Sequence, residues 1–451
     1  MNAVVLHLRR VDLFERPAVL RLPFRFGAAT VTHCPQAFVR VEAEVAGRRV
    51  VGATAELMVP KWFDKSPALT HEQNFEQLRE SLLLARDAYT EAPPATPHAL
   101  SQQRGEDAVE RSVAVGLPRL AAQFGQALLD KAVADAALRS VGLDWVGGVS
   151  AGVLGDPFSP RLTLVRPAHV QLRHTVGLAD RLTAADVGAD PRDGLPATLE
   201  DAIARHGLRF FKLKLSGRLD ADLERLARIA AVLDGHARDW QVTLDGNETF
   251  DSAEALGTYW HALVQAPALQ TLLQRTLLLE QPLARKVALD QSIAGLDIGV
   301  PVILDESDDH EEAFDRGLAL GYRGISSKAC KGLYRSLRNA VRVAEEPHRL
   351  LLSGEDLTCQ AGLAVQQDTL LAASLGVIHI ERNGHHYVDG FGVAPDAEAQ
   401  AFADAHPSLY ETTNGRVRLA VRDGRLALAT LHVPGFASAA MPRWDSLTPI
   451  H

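Results

Sequence analysis

Five short apolar runs in this sequence end in charge. Phe210-Phe211-Lys212-Leu213-Lys214-Leu215 carries two lysines two residues apart. Val242-Thr243-Leu244-Asp245-Gly246-Asn247 ends in an acid, Leu277-Leu278-Leu279-Glu280 in a second and Val302-Ile303-Leu304-Asp305-Glu306 in a third. Ile325-Ser326-Ser327-Lys328 returns to a lysine. Strand side chains alternate between faces, so Lys212 and Lys214 share one face, as do Asp245 and Asn247. One charge at a strand end reads equally well as a solvated terminus. Five in succession, in the order Lys, Asp, Glu, Asp, Lys, read as a site. Three carboxylates packed without a cation repel and raise one another's pKa. A hard divalent cation relieves that, and three carboxylates plus water and substrate oxygens make the octahedral shell that Mg²⁺ requires. Lysines beside such a centre sit where their pKa can fall far enough for base chemistry.

Positioning these groups requires a parallel sheet. From about residue 169, short apolar strands alternate with helical stretches. The strands expected are 170–175, 208–215, 241–245, 276–280, 300–305, 324–328, 350–353 and 377–381. Eight strands suit a barrel, in which C-terminal strand ends build the active site. The rival, a doubly wound open sheet, lacks its Gly-rich phosphate turn here. Upstream, Phe38–Val45 alternates, and Gly47-Arg48-Arg49 is expected to turn it into Val50-Val51-Gly52. Helical spacing covers 71–90 and 118–141, with a break at Glu91–Pro97. In the tail, Gly415–Leu419, a turn at Arg422-Asp423-Gly424 and Arg425–Leu428 read as a hairpin packing back on the first domain.

The motif set Lys212-Leu213-Lys214, Asp245-Gly246-Asn247-Glu248, Glu280-Gln281-Pro282, Asp305-Glu306-Ser307 and Lys328 followed by Lys331-Gly332 resembles the enolase superfamily, within its muconate-lactonizing-enzyme-like branch, the mandelate racemase/muconate lactonizing enzyme family. The resemblance covers residues from about 169 to 390 and extends more weakly through Pro23-Phe24-Arg25-Phe26-Gly27. It implies a modified TIM barrel, (β/α)₇β, over 151–404, under an α+β capping domain of residues 1–150 completed by 405–451. It further implies Asp245, Glu280 and Asp305 as Mg²⁺ ligands, and Lys214 and Lys328 as acid/bases on opposite substrate faces. Lys212 would neutralise a carboxylate oxygen or lower the pKa of Lys214, with Asn247 and Glu306 as supports near the metal. The chemistry is removal of a carboxylate's α-proton to give an enediolate, whose charge a metal and a lysine must stabilise as it develops. Racemisation or epimerisation, cycloisomerisation and syn-elimination all share that step. An acid-sugar dehydratase is the alternative, and a non-catalytic ligand-binding barrel a remote one.

The sequence departs from the family pattern in places. After the sixth-strand lysines the usual paired glycine is Gly332-Leu333, and the seventh strand runs into Ser353-Gly354-Glu355-Asp356-Leu357 with no histidine for a His/Asp dyad. Glu355 is a candidate for bonding substrate or Lys328, or for a structural pairing. His385, in His385-His386 after the eighth strand, is a candidate at the barrel mouth, although a hydrogen-bonded loop histidine is the commoner case. Cys330 reads as a small buried thiol. If the capping domain lies over the site as in the family, Arg25, Lys61 and Trp62 are specificity candidates. Extra segments near 90–115 and 258–275 have no readable role.

Composition agrees with a globular enzyme. The 451 residues carry a formal net charge of -9 and no basic stretch, which argues against a nucleic-acid partner. No run of about 18 apolar residues suggests a membrane span. Met1–Pro17 lacks the pattern of a signal peptide, and three scattered cysteines fit a reducing compartment. A cytoplasmic homo-oligomer acting on a small-molecule carboxylate is the expectation.

Overall fold

The computed structural model describes residues 3–451. Its N-terminal part opens with three antiparallel strands, β1 (His7–Phe26), β2 (Ala29–Val45) and β3 (Arg48–Leu57). The second hairpin turns on Ala46 and Gly47 alone, at φ 49° and 77°, a pair of left-handed residues whose twist suits a two-residue loop. Arg48 and Arg49, expected in the turn, already pair with Val45 and Glu44, because the tight loop needs no further residues.

Helices α1 (His71–Thr90) and α2 (Arg119–Val141) pack on this sheet. Thr70 and Gln73 form a reciprocal capping box that starts α1. Gly142, left-handed at φ 69°, ends α2. Small residues let α2 approach closely, since a Cβ on Gly52 would lie 2.1 Å from the carbonyl oxygen of Ala132. The segment after α1 folds as short helical turns at Pro97–Leu100, Ser101–Gly105 and Glu106–Ala114.

The rest is a closed barrel of eight parallel strands, β4 (His169–Val176), β5 (Phe210–Lys214), β6 (Gln241–Asp245), β7 (Thr276–Glu280), β8 (Val302–Leu304), β9 (Gly324–Ser327), β10 (Leu351–Gly354) and β11 (His379–Glu381). Neighbours pair in sequence order, and β11 closes on β4 through His379–Gln171, Ile380–Leu172 and Glu381–Arg173. The observed strand limits lie within two residues of those expected. Leu213, Leu244, Leu279 and Ile325 are fully buried between barrel and helices, so the alternating partners, Lys212, Lys214, Asp245 and Glu280, face inward. Crossover helices follow each strand except the last: α3 (Leu199–His206), α4 (Leu219–His236), α5 (Ala253–Val264), a single turn at Arg285–Ala288, α6 (Ala313–Leu320), α7 (Leu333–Glu345) and α8 (Leu363–Ser374). The second extra segment is the end of α5 and two short helical turns, Pro267–Leu269 and Gln270–Gln274.

The tail differs from the expected hairpin. Arg416–Leu419 pairs backwards with Tyr410–Thr413, and Arg425–Ala427 pairs with β4 through His169–Gln171. The turn at Asp423-Gly424 is present, with positive φ at both residues, but it redirects the chain to the start of β4, which has free hydrogen-bonding groups there. Thr448–Pro449 then pairs with Phe14 and Glu15 of β1. No helix among the described residues is long and apolar enough to cross a membrane.

Candidate active site

Five consecutive strands, β5 to β9, deliver the charged residues to one end of the barrel. Lys214 pairs in register with Asp245, and Asp245 with Glu280. Asp305 follows β8 directly and Lys328 follows β9. In an eight-strand ring β5 and β9 stand opposite, with three strands between them on either side. The two outer lysines therefore face each other across the mouth, with the three carboxylates on the strands between.

The loops carrying the carboxylates are held tightly. Asn247, Glu248 and Gln281 adopt left-handed backbone at φ 44°, 65° and 33°, a conformation that non-glycine residues keep only where the surroundings enforce it. A Cβ on Gly246 would lie 2.6 Å from the Cα of Pro282, so the β6 and β7 loops touch backbone to backbone. The Gln281 amide ties β7 to β8: its oxygen accepts from the Asp305 N–H at 2.8 Å and its nitrogen donates to Ser307 Oγ at 2.8 Å.

Lys212 lies at the centre. Its Nζ is 2.6 Å from Glu280, 2.7 Å from Glu355, and 3.0 Å from both Asp245 and Glu381. Burial disfavours its charge, but these four carboxylates outweigh burial and hold the ammonium protonated well above the usual lysine range. Lys214 donates to Asp245 at 2.5 Å, and Lys328 to Asp305 at 2.5 Å. Burial would raise Asp245, yet Lys212 and Lys214 keep it below the ordinary carboxylate range. Asp305 is lowered likewise, with Lys328 and Lys331 overcoming burial. Glu280 is pushed the other way, by burial first and then by Asp245 and Glu355.

The capping domain roofs this centre. Phe24, Phe26, Val59 and Trp62 line a chamber of about 20 Å³ with Lys212, Lys214 and Lys328. The Lys328 ammonium lies 4.3 Å from the Trp62 ring centroid, and Lys214 lies 6.0 Å from those of Phe24 and Phe26. Glu306 is buried beside Asn247 and Lys65, with the Lys65 Nζ at 3.4 Å and one oxygen unpartnered. Glu355 accepts from Lys212 and pairs with the buried Arg173, so it joins the charge network.

Three candidates fall elsewhere. His385 is not at the mouth. The short helix Gly384–Tyr387 turns it behind β4, where its Nε2 lies 3.1 Å from Nδ1 of His174 and its ring packs on His206. His174 alternates with the inward Arg173 and Thr175, which fixes this cluster on the helix side of the wall. Arg25 alternates with Phe24 and Phe26, is exposed, and lines a separate larger cavity; Lys61 lines that cavity too.

The sequence reading gave no role to Glu381, Arg173 or Lys331, although Lys331 stood in its motif set. Glu381 ends β11 as Asp245 ends β6, so the same strand-end rule would have found it. Arg173, a charge inside an otherwise buried strand, was a second signal. Lys331 donates to Ser326 Oγ at 2.8 Å and to the Asp305 carbonyl at 3.2 Å.

The donor set fits a hard cation. Both carboxylate oxygens of Glu280, Oδ1 of Asn247 and Oε2 of Glu306 are buried without a hydrogen-bond partner among the described residues, the Glu280–Lys212 contact being ionic but off the bonding direction. Oxygen donors left so are what Mg²⁺ binds. Among the described residues, the metal-type side chains gathered within 4.8 Å of one another are Asp356, Cys359 and Asp368, and these are neutralised by Arg382, which lies 2.6 Å from Asp368.

No family model and no curated sequence matches this chain. Solved structures do. The chain is similar to 2-chloromuconate cycloisomerase from Rhodococcus opacus 1CP, at 16% identity and a TM-score of 0.62, over 96% of this chain and 97% of that one. It is similar to a mandelate racemase/muconate lactonizing enzyme from Roseovarius nubinhibens ISM, at 16% identity and 0.61, over 99% and 98%. It is similar to the muconate lactonizing enzyme from Pseudomonas fluorescens complexed with muconolactone, at 15% identity and 0.59, over 96% and 97%. Capping domain and barrel together, this chain has the fold of the mandelate racemase/muconate lactonizing enzymes.

Proposed function

We propose that this protein is an Mg²⁺-dependent isomerase or lyase that removes the α-proton of a small carboxylate. The observation that carries the reading is the pair of lysines, Lys214 and Lys328, on opposed strands with Asp245, Glu280 and Asp305 on the strands between. Asp245, Glu280 and Asp305 would hold the ion. When bound, Mg²⁺ supplies Lewis-acid stabilisation of the negative charge that builds on a substrate carboxylate when its α-proton leaves. A substrate between the two lysines presents one face of its α-carbon to each. One neutral amine takes the proton at Nζ, and the opposite ammonium delivers one from its own face or acts only as a fixed positive charge.

As described, Lys328 is a proton donor, because Asp305 and the nearby acids overcome burial and raise its pKa. Were Asp305 engaged as a metal ligand, its hold on the Lys328 proton would weaken, and burial and the charge of Lys212 would favour the neutral amine. Lys212 stays charged among its four carboxylates and supplies positive potential to the enediolate oxygens. The aromatic roof excludes water from the chamber.

Racemisation or epimerisation, cycloisomerisation and elimination all begin with this proton removal. β10 ends in Gly354 and leads into Glu355-Asp356-Leu357 with no histidine, which weighs against the acid-sugar dehydratase. The test is α-proton exchange in D₂O across a carboxylate library. Exchange should require Mg²⁺, cease with chelator and fall at least a hundredfold in Asp245→Asn. Unchanged exchange in metal-free protein removes the reading.

A further inference from the structure

The helical turns between α1 and α2, which the active site does not use, build one wall of a second cavity. Its other walls are α2, the loop after β8 and the first turns of α7. The volume is about 60 Å³, room for about four to six water-sized atoms. Its lining residues are different from those of the active chamber. A line of ion pairs separates it from the barrel lysines. Arg335, in the cavity wall, lies 3.7 Å from Asp308, Asp308 lies 3.1 Å from Lys331, Lys331 lies 3.5 Å from Asp305, and Asp305 lies 2.5 Å from Lys328.

Three guanidinium groups, those of Arg119, Arg335 and Arg338, line this cavity. Arg338 is paired with Glu311 at 2.7 Å, and Arg119 with the largely exposed Glu110 at 3.2 Å. Arg335 has no carboxylate within hydrogen-bonding distance among the described residues: its Nη1 donates to the carbonyl of Asp308 and stands off from that residue's carboxylate. Burial lowers its pKa, and Arg338 and Arg119 lower it further against the pull of Asp308 and Asp309. Crowded cations are relieved by an anion, as crowded carboxylates are by a metal. Asp130, also in the lining, competes weakly. It accepts from Tyr89 and Ser101, and burial pushes it up to about 7. Two further atoms await a partner. The Tyr334 hydroxyl and Oε1 of Gln123 line the cavity, are buried, and have no hydrogen-bond partner among the described residues. The Gln123 Nε2 is fixed on the Asp309 carbonyl at 2.6 Å, which leaves Oε1 as an acceptor. The Tyr334 ring is held edge-on to His98, with centroids 5.0 Å apart. Buried polar groups are rarely left unpaired, so a ligand that pairs both is favoured.

We propose that this cavity is a second ligand site, for a small oxyanion that carries a hydroxyl. The anion accepts from the Arg335 guanidinium and from the Tyr334 O–H, and its own hydroxyl donates to Gln123 Oε1. Hydrogen phosphate and a two-carbon hydroxycarboxylate share this chemistry and fit the volume. The site also gives the segment between α1 and α2 a place, as the wall that closes it. The inference is independent of the proton-transfer chemistry proposed for the barrel.

The experiment is calorimetric titration of the full chain, in chelator and at neutral pH, with inorganic phosphate, sulfate, glycolate and acetate. Phosphate should bind about tenfold or more tighter than sulfate, or glycolate than acetate, since only the first of each pair carries the hydroxyl. The tighter of phosphate and glycolate identifies the natural group. Arg335→Gln and Tyr334→Phe should each weaken that anion about tenfold or more. Tyr334→Phe removes a hydroxyl with no protein partner, so without ligand it should melt with the parent. Binding that survives both substitutions belongs elsewhere, at the barrel lysines for example, and overturns the proposal. So do equal affinities within both pairs, and the absence of saturable binding by any of the four, which leaves a water-filled cavity. A Tyr334→Phe protein that melts well below the parent without ligand also overturns it, because the hydroxyl is then structural.

Discussion

Lys212→Met is the substitution whose consequence follows most clearly from the charge network. It removes the one ammonium that touches all four of Asp245, Glu280, Glu355 and Glu381, leaving Asp245 with Lys214 and Glu355 with Arg173, and replaces it with an apolar chain of similar length. Breaking a buried ion pair from one side costs about 3–5 kcal/mol, because the remaining charge is left uncompensated. Four carboxylates share Lys212, so the cost should lie toward the upper end. Protonation caps it: Glu280, already pushed up by burial and its neighbours, takes a proton before the barrel opens. At about 2 °C per kcal/mol for a large domain, the thermal midpoint should fall by about 6–10 °C at neutral pH in chelator. Acidification to about pH 5 should shrink the gap, since the variant's surplus carboxylates can then be neutralised by protons. Mg²⁺ should also shrink it, because a dication restores the missing positive charge and binds the folded state alone. The assay is thermal denaturation followed by circular dichroism, with and without Mg²⁺, at both pH values. A variant that melts within 1–2 °C of the parent in chelator at neutral pH, or whose gap is the same with Mg²⁺, refutes the reasoning; both limits are about the size of a 1 kcal/mol effect.

The histidine cluster behind β4 predicts a loss of stability in mild acid. Burial lowers His206 to about 4 and depresses His174, His385 and His386 well below their usual range, so the unfolded chain binds more protons below about pH 6.5. Stability contributed by the neutral rings is present above about 6.5 and is lost as pH falls toward 4, by up to about 3 kcal/mol for His206 alone; His206→Gln should flatten that part of the pH–stability curve, and an unchanged slope would count against the buried neutral state. The ion pair of Lys131 with Glu56, 3.1 Å apart and buried, joins α2 to β3. Lys131→Met alone should cost about 3–5 kcal/mol, and adding Glu56→Gln should return at least about 2 kcal/mol of it, measured as a double-mutant cycle in urea; additive costs would show that the pair is not coupled.

The barrel was legible in the sequence because its strands are short buried apolar runs, five of them in succession ending in a charge. Asp245, Glu280 and Asp305 stand out where leucine and valine otherwise dominate, and parallel strands buried on both faces leave few other places for charge. The roof was legible in Phe24–Gly27 and in Trp62, but which side of β1 faces the barrel depends on domain packing. That left Arg25 grouped with the chamber residues, although alternation sends it to the neighbouring cavity. His385 misled for a related reason: nothing in Gly384-His385-His386-Tyr387 shows that the chain makes a helical turn there and rotates the ring behind the wall. The tail failed at long range. Its turn at Asp423-Gly424 was correctly placed, but the partner of Arg425–Ala427 is β4, some 250 residues earlier, and no local pattern encodes that pairing.

The proposed chemistry, with Lys214 and Lys328 on opposite sides of one α-carbon, makes a prediction about stereochemistry. Lys214→Ala and Lys328→Ala, each loaded with Mg²⁺, should be incubated in D₂O with each isomer of a chiral α-substituted carboxylate that the parent protein exchanges, and deuterium incorporation followed by mass spectrometry. Each variant should lose net turnover, and each should still exchange the proton of one isomer, with the two variants keeping opposite isomers. Normal exchange of both isomers by Lys328→Ala, or by Lys214→Ala, would contradict proton transfer from opposed lysines.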